Sequence, residues 1–197
     1  MMYEMFGATF AMVFMLPYLT AFSLLPIIIY IVARWRQNRD GHADPQLGLK
    51  TALAFFRVLA FQICLAGLWI LFYGIVAKGD SGELFRVAAG LLIPGLLVYA
   101  AHHVALQRTN DSFMPMANRM FSGLNLIQTG IVGFVALVAA FVITLQKDAP
   151  SEALRVVWSL VAVYTTAWGV LAVQFLNSTV PPAPTQPAQS VVPQQQA

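Results

Sequence analysis

Five long runs of apolar residues, separated by short polar connections, set the pattern of this chain. They cover residues 6–33, 58–77, 87–106, 120–146 and 156–176, and each is bounded by charges or turn-forming residues. About 20 consecutive apolar residues are needed to carry a helix across roughly 30 Å of hydrocarbon, and every run meets that length. Backbone amides inside a bilayer have no water to bond, so runs of this length pair internally as α-helices. A membrane barrel would show stretches of about 10 residues of alternating polarity instead, and none are visible here. The expected fold is therefore all-α: a polytopic transmembrane bundle of about five helices over residues 1–179. The first run is longer than a crossing requires and contains Pro17 and Pro26, so tilting or kinking is expected to absorb the excess.

The connections contain a local repeat. Lys78, Glu83, Arg86 and Val87 recur at the same spacing as Lys147, Glu152, Arg155 and Val156. Both stretches end one apolar run and begin another. A duplicated helix hairpin is one reading of this repeat; the simpler one is a shared task, since Ser, Asp and Pro favour helix starts and an early acid complements the N-terminal dipole. After residue 179 the chain reads as a Pro/Gln-rich, uncharged segment with no aromatic residue, Val180 to Ala197. Such a composition buries too little apolar surface to offset its ordering entropy, and a disordered tail is expected.

Composition narrows the class further. Hydrophobic residues make up 59% of the chain and charged residues only 10%, against about 45–50% and about 25% in soluble domains. The net charge of +3 comes from Lys and Arg scattered between apolar runs. Nucleic-acid binding needs clustered cations along a phosphate backbone, so no nucleic-acid partner is expected. The single cysteine, Cys64, lies within an apolar run, and the segment before the first run, with Glu4 and no Lys or Arg, lacks the basic start of a cleaved signal peptide.

The scattered cations carry orientation. Arg34, Arg36, Arg39, Lys50, Arg57, Arg108 and Arg119 fall on one side of a five-helix arrangement, and Lys78, Arg86, Lys147 and Arg155 on the other. Excess Lys and Arg in short loops marks the cytoplasmic face, which places the N-terminus outside and the tail in the cytoplasm, with a bacterial inner membrane as the expected location. The sequons at Asn110 and Asn177 then lie on the cytoplasmic side, where they carry no meaning.

Polar groups within the runs are costly in lipid and serve as site candidates. Arg57 and Gln62 in the second run, His102 and His103 in the third, and Asn125 and Gln128 in the fourth cluster in the cytoplasmic half, with Ser122 and Gln174 nearby. The runs contain no Asp or Glu beyond their margins, so the carboxylate of most proton relays and cation sites is missing. A cation with neutral donors suits an anionic or carbonyl-bearing ligand: a lipid headgroup or a quinone. Each residue also has a plainer role. Arg57 can reach the headgroups from the margin of its run. Gln62, Ala66, Trp69 and Tyr73 share one helix face and read as an interhelical seam. His102 and His103 are about 100° apart on a helix and cannot both ligate one haem. The only other histidine is His42, so no haem or metal is expected.

Small residues form stripes on the last two helices: Ser122, Asn125, Thr129, Gly133, Ala136 and Ala140 on one, and Ser159, Ala162, Thr166 and Gly169 on the other. In lipid such stripes let backbones approach, either within one bundle or with another subunit or copy. No GxSxG, HExxH, Walker, CxxC or GxGxxG motif is present. The first reading is a non-catalytic subunit or accessory component of a larger membrane assembly with a cytoplasmic-leaflet anionic-lipid site. The alternatives are a quinone-binding redox-linked subunit at His102, His103, Gln62 and Asn125, and a small-solute transporter or channel.

Overall fold

The computed structural model describes residues 24–39, 44–77, 81–109 and 114–179. These residues are helical apart from short turns and connections, with no strand among them. A helix α1 occupies 24–39. It is followed by α2 (Leu47–Val76), α3 (Gly82–Gln107), α4 (Met114–Thr144) and α5 (Ser151–Thr179). The last four are each long and apolar enough to cross a membrane. Residues 6–23 of the first predicted run and the tail from Val180 lie outside the described residues.

The outer faces of these helices are apolar. Leu97 is 66% exposed, Phe134 67% and Ile75 66%. Soluble monomers rarely expose contiguous apolar patches beyond a few hundred Å². A bundle whose outside is this apolar belongs in lipid, and the chain is an integral membrane protein.

α2 is the central helix. It packs against α3 over most of its length and also touches α4 and α5, while α4 and α5 form a second antiparallel pair. The α2–α3 contact is built on glycines used reciprocally. A Cβ on Gly67 would meet Leu92 Cγ at 2.8 Å, and one on Gly95 would meet Cys64 Sγ at 2.8 Å. Each helix thus receives a side chain of the other where it has none of its own. In α4, Gly130 accommodates the Trp168 indole, and Gly133 lies against the Tyr164–Thr165 backbone.

Helix direction follows from named contacts. Ala54, Phe55 and Val58 of α2, Leu106 of α3 and Phe121 of α4 form one buried cluster, with Ile29 of α1 against it. The end of α1, the start of α2, the end of α3 and the start of α4 therefore meet at one end of the bundle. At the opposite end, Tyr73 Oη donates to Glu152 Oε1 at 3.1 Å, and Gly74 faces Phe85. This gathers Arg34, Arg36, Arg39, Lys50, Arg57, Arg108 and Arg119 at the first end, and Arg86, Lys147 and Arg155 at the second.

The helices overrun the apolar runs. α2 starts 11 residues ahead of Val58 and has 30 residues, roughly 45 Å. That exceeds the roughly 30 Å of hydrocarbon by about half, so its first turns stand in the interface or beyond. Charge did not end the helix because Lys50, in its first turn, is fully buried against Asp44, with Nζ to Oδ2 at 2.6 Å. Lys50 is thus a buried ion-pair partner rather than the loop cation that the sequence suggests. Asp44 Oδ1 also accepts the Gln46 amide at 2.9 Å. Its own amide donates to Gln37 Oε1 of α1 at 3.4 Å. The repeated motif places two helix starts at equivalent positions, Gly82 and Ser151, each followed by its acid, Glu83 or Glu152.

Candidate functional site

The predicted seam on α2 exists and crosses most of the bundle. Gln62 Nε2 donates to Asn125 Oδ1 at 2.6 Å and to Thr129 Oγ1 at 3.0 Å. About two turns on, Trp69 Nε1 donates to Ser159 Oγ at 3.1 Å and to the Val156 carbonyl at 3.3 Å. Tyr73 with Glu152 completes it. Asn125, Thr129 and Ser159 are buried, so the Gln62 and Trp69 bonds are made away from lipid, where an unmade one would be costly. The Tyr73–Glu152 bond is exposed at the end of the bundle.

Beside this seam lies a cavity of about 440 Å³, within the range of ordinary ligand pockets. Four helices line it: α2 with Arg57, Val58, Phe61 and Leu65; α3 with Tyr99 and His103; α4 with Phe121, Ser122 and Asn125; and α5 with Ala167, Val170, Leu171 and Gln174. The α2 residues recur at three- and four-residue steps, which presents one face to the cavity. Arg57 is half-buried in this wall, inside the bundle rather than on the lipid side.

His103 stacks on Tyr99, with ring centroids 6.1 Å apart and planes 5° from parallel. Its Nε2 lies 3.2 Å from Gln107 Nε2, and its Nδ1 is buried with no hydrogen-bond partner. Which ring nitrogen donates depends on the tautomer, and in either one a buried ring nitrogen stands beside the cavity.

Of the six residues singled out from sequence, Arg57, His103 and Asn125 line the cavity. Gln62 stands just behind, fixing Asn125. His102 turns away: its ring is 5.5 Å from Phe56, and Nδ1 donates to the Val98 carbonyl of its own helix at 2.8 Å. Gln128 is also outside this wall, with a buried Oε1 that has no partner. The four-residue quinone arrangement is therefore not assembled as a unit, since only His103 and Asn125 reach the cavity. Tyr99 and Phe61 are wall residues that the sequence reading did not single out. Their positions, four residues before His103 and four after Arg57, were the available signal. Among the described residues, no cluster of His, Cys, Asp or Glu suits a metal ion.

The two small-residue stripes differ. Asn125, Thr129, Gly133, Ala136 and Ala140 of α4 are all buried inside the bundle. On α5 only Ser159 is, while Ala162 and Thr166 face outward and a Cβ on Gly169 would meet nothing within 4 Å.

No protein-family model matches this chain, and neither a curated protein nor a solved structure matches it at a significant level, so its functional reading rests on the cavity itself.

Proposed function

We propose that this is a non-catalytic membrane protein, a subunit or accessory component of a larger assembly, whose cavity holds an anionic lipid headgroup in the cytoplasmic leaflet of a bacterial inner membrane. The observation that carries the reading is Arg57 in the cavity wall, grouped with neutral polar residues and with no carboxylate among the lining residues. A guanidinium matches a phosphate oxygen pair bidentately, and a cation with Ser, Asn and Gln donors favours an anion. An Asp or Glu in the wall would oppose it. The Arg57 end is the more basic end of the bundle, which supports its placement on the cytoplasmic side. Membership of an assembly is supported by the outward small residues Ala162, Thr166 and Gly169, which allow close approach of another helix.

The test is the lipid retained by purified protein, measured by mass spectrometry for wild type, Arg57→Gln and Arg57→Lys. Wild type should be enriched in anionic phospholipid over the source membrane. Arg57→Gln should lose about tenfold or more of that enrichment, since hydrogen bonds to charged groups contribute about 1.5–3 kcal/mol. Arg57→Lys should lose less. Equal enrichment in wild type and Arg57→Gln would remove the headgroup site.

A further inference from the structure

We propose that the ligand enters this cavity sideways from the bilayer, through the cleft between α3 and α5, and that the cavity seats the upper part of its acyl chains as well as its head. The inference rests on the headgroup reading above and specifies the ligand: an amphiphile embedded in the leaflet, not an anion arriving from water.

The cavity is graded along the membrane normal. Helix directions put Arg57, His103, Ser122 and Gln174 near the basic end, and Leu65 and Ala167 at the far end. Arg57 to Leu65 is eight residues of helix, roughly 12 Å, and Gln174 to Ala167 is seven residues, roughly 10 Å. The interfacial layer occupied by headgroups is only about 5–8 Å thick on each side of a bilayer. A cavity about 12 Å deep therefore continues past that layer into the depth where acyl chains begin. Its lower wall changes to match, from guanidinium, imidazole and amide to Leu65, Ala167 and Leu171. At about 440 Å³ it holds on the order of fifteen water volumes of about 30 Å³ each. A phosphate bound at Arg57 would fill a minor part and leave the apolar end empty.

The opening follows from the packing. α3 packs extensively on α2, and α5 on α4 and α2, whereas α3 has no comparable packing against α5 or α4 among the described residues. On the α4 side the buried cluster of Leu106 and Phe121 closes the basic end, which leaves the α5 side as the opening. Yet both α3 and α5 line the cavity. They face each other across it, and Val170, 53% exposed on α5, stands in its wall while reaching the bundle surface.

The experiment uses the full chain in nanodiscs containing phosphatidylglycerol with a photoreactive group high on one acyl chain, and maps cross-links by mass spectrometry. Cross-links should concentrate at Phe61 and Leu65 of α2 and at residues 167–171 of α5. They should fall about tenfold in Val170→Trp, which fills the cleft at a half-exposed position, and likewise in Ala167→Phe, with helicity and monodispersity checked for both. Millimolar glycerol phosphate or inorganic phosphate should not displace the lipid. Cross-links spread evenly over outward residues such as Ile93 and Phe134, or displacement by either soluble phosphate, would overturn the proposal. The two readings separate through Arg57→Gln. If the cleft-filling variants lower the cross-links and Arg57→Gln does not, sideways entry stands and the anionic headgroup falls. If only Arg57→Gln lowers them, the headgroup site stands and sideways entry falls.

Discussion

Gln62 of α2 and Asn125 of α4 are joined side chain to side chain at 2.6 Å, and the same Gln62 amide reaches Thr129 at 3.0 Å. One donor group thus fixes two polar residues of a neighbouring helix, one of which is a wall of the cavity. Replacing Gln62 with Leu leaves Asn125 and Thr129 facing an apolar group. The stability loss should be about 1–2 kcal/mol, above the roughly 0.6 kcal/mol average of interhelical bonds in membranes because two acceptors are stranded together. Unfolding in mixed detergent, wild type against Gln62→Leu, measures it. In a double-mutant cycle Gln62→Leu with Asn125→Leu should cost less than the sum of the single changes, and strict additivity would show that the pair is not coupled.

Asp44 and Lys50 form a buried pair whose side chains are both wholly out of solvent. Breaking such a pair from one side strands a charge and costs about 3–5 kcal/mol, whereas replacing both partners with apolar residues is often close to neutral. Lys50→Met alone should therefore destabilise the protein severely, and Asp44→Leu with Lys50→Met should recover most of the loss. The readout is the thermal midpoint in detergent. A single variant as stable as wild type would show that the pair contributes nothing.

The α2–α3 glycines predict a graded response to one methyl group. Gly67→Ala and Gly95→Ala each press a Cβ to 2.8 Å from a neighbour's side chain, and overpacking of this kind costs about 1–3 kcal/mol. At Gly90 a Cβ would meet nothing within 4 Å. There Ala should be neutral or stabilising by up to about 1 kcal/mol through helix propensity. The same unfolding assay applied to all three tests the interlock, and equal effects would contradict it.

Sidedness is tested by thiol labelling. With the buried Cys64 replaced by Ser, cysteines introduced at Ser81 and at the exposed Ser151 should react with an impermeant maleimide in intact cells. One at Ser112 should react only after permeabilisation. The reverse pattern would invert the orientation argued from the Lys and Arg distribution.

Much of this architecture was legible along the chain, for a physical reason. Lipid imposes a length and a composition on every crossing, so runs such as 87–106 and 156–176 announce helices α3 and α5 without reference to any neighbour. The α2 seam was legible too, because Gln62, Trp69 and Tyr73 repeat at helical spacing and polar groups in lipid must find partners. Helix ends were less so. Arg57 looked like a boundary and Lys50 like a loop cation, but a charge ends a helix only when nothing in the fold receives it. Asp44 receives Lys50, and the cavity wall takes Arg57. The choice between His102 and His103 was decided by tertiary structure alone. Both sit at the same depth on α3, and the roughly 100° between them turns one toward Phe56 and its own helix, the other onto Tyr99 and the cavity. The cavity itself has no signature in sequence, because it is the space left where α3 packs on α2 while α5 packs on α4, and only the placement of whole helices determines what remains between them.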